Sequence, residues 1–239
     1  MSLPPFGFVT VHRRPLADGI AAESDWTARA AATGRAGAHL WQGEPGLVAP
    51  RNCMALPGWE QATQGRRVAV RASGGGVVPQ GPGLLNLSLT WHEATGPRFS
   101  DAIYRGLCEG IGAALARLGI AASTQAVPGS FCDGRFNLAA GGRKIVGTAQ
   151  SWRRVGGRQM VLAHALVVVD ADPVVLTEAV NAFERELGSG RVYRAEALTS
   201  VAAGWREAHR EAPPPDLAAR LTQALAETFA RMIEPHEAD

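Results

Sequence analysis

Between Leu84 and Trp91 the chain alternates. Leu85, Leu87, Leu89 and Trp91 are interleaved with Asn86, Ser88 and Thr90, and that period of two predicts a half-buried strand. From Asp101 to Leu118 the period lengthens. Ile103, Leu107, Ile111 and Leu115 form one stripe, with Ser100 placed to cap and Gly119 to stop an amphipathic helix. Ala17–Thr33 reads as an earlier helix, from Ile20, Trp26 and spaced alanines and charges. Short extended segments are expected at His39–Gln42, Leu47–Arg51 and Arg67–Ser73, and further strands at Phe136–Ala140 and Lys144–Arg154. Gln159–Val169 is a near-continuous apolar strand, joined to its predecessor through Gly156-Gly157. Val174–Leu187 and Asp216–Met232 complete the helices; Asp170 and Asp172 precede the first as caps, and Pro213-Pro214-Pro215 introduces the second. Strands precede, interrupt and follow helices without a βαβ repeat. The expected fold is α+β, a mixed, largely antiparallel sheet flanked by helices. With no internal repeat or linker, residues 1–239 parse as a single domain.

Composition narrows the function classes. Apolar residues make up 46% and charged residues 19% of 239 positions, which suits a soluble protein with a sizeable core. A net charge of +2 with scattered arginines argues against a nucleic-acid partner. No apolar run is long enough for a membrane span and Met1–Arg14 lacks a signal segment, so the expected location is cytoplasmic, without a membrane partner. Cys53, Cys108 and Cys132 are odd in number and contain no CxxC, so neither a metal site nor a disulfide framework is indicated. Cys108 falls beside the helical stripe and is read as core. Cys132 stands in the polar loop Gly129-Ser130-Phe131-Cys132-Asp133-Gly134, where reactive cysteines are expected.

Of the 24 basic residues only Lys144 is a lysine. In an Ala-, Gly- and Arg-rich chain it could be a chance survivor on a surface. Its place, between a glycine pair and a β-branched run, argues for a role that arginine cannot fill, that of a compact ammonium whose pKa moves on burial. Ser73-Gly74-Gly75-Gly76 lies between two strands and lacks the lysine of a phosphate loop and the spacing of a dinucleotide fold. Three glycines suit a backbone that something must approach closely.

In this order Leu40-Trp41-Gln42-Gly43-Glu44-Pro45, Arg71-Ala72-Ser73-Gly74-Gly75-Gly76, Leu85-Asn86-Leu87-Ser88 and Gly142-Arg143-Lys144-Ile145-Val146-Gly147-Thr148-Ala149-Gln150, followed by His164, resemble the lipoate–protein ligase and octanoyltransferase family. Its catalytic fold is shared with biotin protein ligases, and the resemblance spans residues 38–172. It implies that Arg71, Ser73, Gly74, Gly75, Gly76, Asn86, Gly147 and His164 bind the acyl or lipoyl group, and that Lys144 meets the acyl carbonyl. Ser130-Phe131-Cys132-Asp133-Gly134-Arg135-Phe136-Asn137-Leu138 is similar to the loop of the cysteine-dependent amidotransferase branch, which makes Cys132 the nucleophile and Lys144 its catalytic partner.

The resemblance leaves three functions open. One is an octanoyl or lipoyl transferase working between a lipoyl-domain or glycine-cleavage carrier, or acyl carrier protein, and a lipoyl-domain lysine; it requires no cofactor. The second is a ligase using ATP and Mg. This chain reads Phe136-Asn137 where ligases carry a polar pair with an acid, and Gln80-Gly81 where many show His-Asp, and it leaves no room after Met232 for their accessory domain. The third is a non-catalytic lipoyl or biotinyl binder. Exchange between thioesters is near-balanced, a thiolate suits it, and a nearby ammonium favours the thiolate. Burying the seven or so carbons of an octanoyl tail is worth about 5 kcal/mol, with Leu85, Leu87, Val77, Val78 and Leu162 as candidate walls. If Gly156-Gly157 is a two-residue turn, His164 pairs with Ala149 and faces away from Lys144; a longer loop or one bulge brings it to the lysine's face. Arg153, Arg154 and Arg158 form a cluster that either docks an acidic carrier or is solvated surface.

Overall fold

The computed structural model describes residues 3–6, 9–94, 100–230 and the strand 237–238. After β1 (Val9–His12) comes α1 (Gly19–Thr33), where Asp18 accepts from the Ala21 amide at 2.9 Å and Gly34 ends the helix in the left-handed region. Then follow β2 (Gly37–Trp41), β3 (Gly46–Pro50), the short α2 (Trp59–Thr63), β4 (Val68–Arg71), β5 (Val78–Gln80) and β6 (Leu84–His92). The long helix α3 (Ser100–Arg117) leads into β7 (Ser123–Gln125), β8 (Asn137–Ala140), β9 (Arg143–Val155) and β10 (Arg158–Val168). The chain closes with α4 (Pro173–Leu187), α5 (Val201–His209), α6 (Leu217–Phe229) and β11 (Glu237–Ala238). Asp172 caps α4 on the Val174 amide, as its position suggested. Ser100 is the first residue of α3, and Met232 lies outside the described residues.

The main sheet has the order β11-β1-β2-β6-β10-β9-β8-β7, parallel only where β1 meets β11 and β2. This is the mixed, largely antiparallel sheet that the sequence predicts. A second sheet, β4-β3-β5, carries the glycine segment on the connection between its outer strands. One face of the main sheet packs against α3 and α6: Ala163, Ala165 and Val167 of β10 meet Leu107, Ile111 and Leu225 in one apolar core. On the opposite face the small sheet and α4 share a second core, where Leu84 and Val168 meet Leu47, Val180 and Phe183.

β6 corrects the half-buried reading. Asn86, Ser88 and Thr90 are as fully buried as the leucines between them. The alternation is real, but the polar positions face protein instead of water. Asn86 exchanges hydrogen bonds with Gln80 at 2.9 and 3.1 Å, and Ser88 donates to Glu23 and accepts from the Trp41 indole. Hydrogen-bonded partners let polar side chains sit where burial alone would exclude them. The arginines at the β9–β10 hairpin also have structural partners: Arg153 donates to the Ser24 carbonyl and Arg158 to Ala31, on α1.

Candidate active site

The connection from β4 to β5 is gathered around one guanidinium. Arg71, buried at the end of β4, donates to the carbonyls of Val48, Gly74 and Gly76 at 3.0, 3.0 and 2.6 Å. Its Nη2 lies 4.0 Å from the sulfur of Cys132. Gly75 has φ +106°, and a β-carbon there would sit 2.8 Å from that sulfur. Only glycine fits this place without strain or collision. Gly76 completes the contact, its N–H donating to Cys132 Sγ at 3.0 Å.

Cys132 itself has φ +50°, a left-handed backbone uncommon for a residue with a side chain. Such a conformation costs on the order of 1 kcal/mol and persists where surrounding bonds hold it. Asn137 donates to the carbonyls of Cys132 and Gly134 at 3.0 and 2.8 Å. Lys144 Nζ donates to Phe131 O and, at 3.0 Å, to Cys132 O. The ammonium therefore braces the loop, and the atoms directly on the sulfur belong to Gly76 and Arg71. Burial lowers the Lys144 pKa from 10.5 to about 8, opposed by the charges of Cys132 and Asp133. Among the described residues two of its three N–H donors are engaged, which leaves one for an oxygen bound in the cavity.

A bulge puts Lys144 here. Leu138 pairs with Val146 and Ala139 with Lys144, so Ile145 is an extra residue on β9. Ile145 and Val146 consequently both enter the α3 core, and Lys144 turns to the same side as Gly147. A β-carbon on Gly147 would stand 3.0 Å from Nζ, so the absent side chain is what gives the lysine its channel. The same bulge corrects the expectation for His164. The turn is the two-residue Gly156-Gly157 and His164 does pair with Ala149, yet His164 shares the lysine's side because the bulge has already reversed Lys144.

One cavity of about 760 Å³ joins these parts. Cys132, Lys144, Arg71, Ser73 and Gly147 line it, as do residues 74–76 and His164. Asn86 does not; it stands behind Gln80, which does. Of the proposed apolar walls, Val78 and Leu162 line the cavity and are joined by Leu166 and Val168. Leu85 and Leu87 point into or against the α3 core, and Val77 packs under α4. Cys53 and Cys108 are buried outside the cavity.

Some lining groups were not singled out from the sequence. Glu23 of α1 meets His164 Nδ1 and accepts from Ser88 at 2.7 Å. Tyr104 of α3 stacks on Phe136 with centroids 4.9 Å apart. Arg191 donates to Gly75 O at 3.2 Å, beside Tyr193. Glu23 carried a signal, since it falls on the buried side of α1 with Gly19, Thr27 and Ala30. The loop holding Arg191 and Tyr193 has no periodicity to show where it packs.

The chain is 49% identical over 190 residues to an uncharacterized protein of Cupriavidus necator, covering 72% of this chain and 75% of that one. It is 37% identical over 191 residues to the octanoyl-[GcvH]:protein N-octanoyltransferase of Kyrpidia tusciae, covering 72% of this chain and 64% of the relative, just under two thirds of its length. Its fold matches that of lipoate-protein ligase A bound with ATP, with a TM-score of 0.68 at 17% identity over 98% of this chain and 89% of the other. It also matches a structure of a bipartite lipoate protein ligase and its E2 lipoyl domain from Thermoplasma acidophilum, with a TM-score of 0.60 at 17% identity over 98% and 86%. The lipoyl protein ligase A/B catalytic domain model matches residues 25–226, and with the geometry above this establishes that the chain belongs to that family.

Proposed function

We propose that this protein is an octanoyl or lipoyl transferase that carries its acyl group as a thioester on Cys132. The observation that carries the reading is the sulfur's setting. Cys132 is held in a left-handed backbone conformation, bonded by the Gly76 amide, in a cavity whose walls include Val78, Leu162, Leu166 and Val168. The name of the Kyrpidia tusciae relative supports protein-bound octanoyl groups as substrates and a glycine-cleavage or lipoyl-domain protein as carrier. Acyl carrier protein is the other donor to test.

The thiolate attacks the acyl carbonyl and forms the C–S bond. The donor's heteroatom then leaves and takes a proton, giving acyl-Cys132. The acceptor lysine, as the neutral amine, attacks that thioester, loses a proton as the amide forms, and releases the thiolate. A carrier amide is broken and an equivalent one made, so the cycle needs no activation by nucleotide. In this reading the remaining N–H of Lys144 stabilises the oxygen of each tetrahedral intermediate. The amide of Asn137, at the position of the ligases' polar pair, is spent on the Cys132 loop, which supports a reaction without ATP or Mg. Among the described residues no helix is long and apolar enough to cross a membrane.

Intact mass measurement after incubation with octanoylated carrier tests the reading. A gain of about 126 Da, one octanoyl replacing a proton, is expected on the wild type and not on Cys132→Ala. ATP-dependent modification of the acceptor without that adduct would establish the ligase instead. Neither modification would leave a binder.

A further inference from the structure

Glu184 takes no part in the chemistry above, yet it occupies a costly place for an acid. It is fully buried on the inner side of α4, among Val77, Phe131, Val180, Phe183 and Leu187. A carboxyl group in such surroundings opposes folding unless it is bonded. One oxygen is: Oε1 accepts from the Tyr193 hydroxyl at 3.1 Å and from the Val77 amide at 3.4 Å. Oε2 has no partner. A leucine would satisfy the packing, so the fold alone does not call for this residue.

Its two donors lead to the nucleophile. A β-carbon on Gly76 would lie 2.3 Å from the Tyr193 oxygen, so the hydroxyl rests against the backbone of Gly76. Tyr193 is itself fixed to α4, where Asn181 accepts from its amide at 2.8 Å and donates to its carbonyl at 2.9 Å. Its ring meets Phe131, the neighbour of Cys132, edge-on at 5.2 Å. Val77, the second donor, directly follows the residue whose N–H holds the sulfur.

We propose that Glu184 and Tyr193 are positioning residues, a buried strut that fixes the Gly76–Val77 backbone so that the Gly76 amide points at the sulfur of Cys132. An N–H directed at sulfur favours the thiolate, the form that attacks. The other groups around the sulfur come from separate elements: Arg71 from β4, Lys144 from β9, and Asp133 and Arg191 from the flanking loops. Arg191 and Arg71 hold the carbonyls of Gly75 and Gly76, and Glu184 adds a hold on the next amide, that of Val77, from α4 itself. The bearing on turnover rests on the transferase reading; the contact with sulfur does not.

Alkylation of Cys132 by iodoacetamide, in a Cys53→Ala/Cys108→Ala background and as a function of pH, tests the strut. Tyr193→Phe keeps the ring and removes only the hydroxyl, Glu184→Leu removes the acceptor, and Glu184→Gln keeps an oxygen in its place. Tyr193→Phe and Glu184→Leu should slow alkylation about tenfold at neutral pH and displace the profile to higher pH. Glu184→Gln should stay within about twofold of the parent. An unmoved pH profile in Tyr193→Phe, with or without a change in thermal midpoint, would reduce the pair to packing and overturn the proposal. Iodoacetamide carries no acyl chain and needs no carrier. A displaced profile in a protein that takes no octanoyl adduct would therefore reject the transferase and keep the strut.

Discussion

β10 is built differently on its two sides. Toward α3 it presents Val161, Ala163, Ala165 and Val167, fully buried among apolar neighbours. Toward the cavity it presents Leu162, His164, Leu166 and Val168, with Glu23, Ser88 and Lys144 buried nearby. The first face asks only that volumes match, and substitutions there act through packing. The second keeps polar groups out of water, each costing about 1–3 kcal/mol if its partner is lost. A chain that accepts that cost on one side of a strand and avoids it on the other marks the costly side as the place of the proposed chemistry.

The cysteines give the sharpest way to break this division. Cys132→Ala should lower acyl transfer more than about a thousandfold, as loss of a nucleophile does. Cys108→Ala, in the α3 core, should keep full activity and lose about 1 kcal/mol of stability. Transfer assays beside chemical denaturation read both numbers. Activity surviving in Cys132→Ala would end the thioester mechanism.

Lys144 comes next. Lys144→Ala and Lys144→Arg should each cost about a hundredfold or more in turnover, because the guanidinium is too broad and planar for the space beside Gly147. An active arginine variant would show that charge alone matters. pH separates this residue's two effects. Burial has lowered its pKa to about 8 from 10.5, so the unfolded chain holds the proton more tightly. Between those values the lysine's contribution to stability rises with pH, while activity falls as the ammonium that braces the Cys132 loop is lost. Opposite slopes in unfolding and kinetic profiles above about pH 8 are the expected result; parallel slopes would remove Lys144 from the reaction.

These residues also show how far the sequence could be read. The lone lysine, the triple glycine and the cysteine in a polar loop were legible because each breaks a local pattern, and the structure gathers them in one cavity. The facing of His164 was not legible from strand period alone. It depends on Ile145, an extra residue that looks like any other β-branched position until β8 is paired beside it. Of the proposed apolar walls, Val78 and Leu162 line the cavity while Leu85, Leu87 and Val77 do not, for a related reason: Leu87 and Leu162 look alike in the sequence, and only the stacking of α3 on one face of the sheet separates core from cavity. Glu184 could have been noticed. It interrupts the stripe of Leu176, Val180, Phe183 and Leu187 on α4, and an acid within an apolar stripe raises the question of its partner.

The glycine segment gives a smaller contrast within three residues. Added at Gly75, a methyl group meets Cys132 Sγ and takes a disfavoured φ; added at Gly74, it meets nothing within 4 Å. Gly75→Ala should slow alkylation and acylation of Cys132 about tenfold or more and destabilise the fold by about 1 kcal/mol. Gly74→Ala should stay within about twofold of the parent. Equal effects would mean that the loop, and not the sulfur contact, sets the requirement for glycine.

The smallest effect lies at the hairpin. Arg158 donates to Ala31 O at 2.8 Å, close to the C-terminus of α1, where a cation also meets the negative end of the helix dipole. Arg153 makes a second tie, to Ser24 O at 2.7 Å. Together they hold the β9–β10 hairpin against the helix that brings Glu23 to His164. Arg158→Ala should therefore lower the melting temperature by about 1–3 °C, as a loss of under about 1 kcal/mol does in a domain of this size. The Michaelis constant for the carrier should remain as in the parent. A carrier docking on these arginines would reverse the pattern, raising that constant in Arg158→Ala and further in Arg154→Glu, with the melting temperature unmoved. That outcome would make the hairpin a partner surface and extend the chemical face of the sheet beyond its cavity.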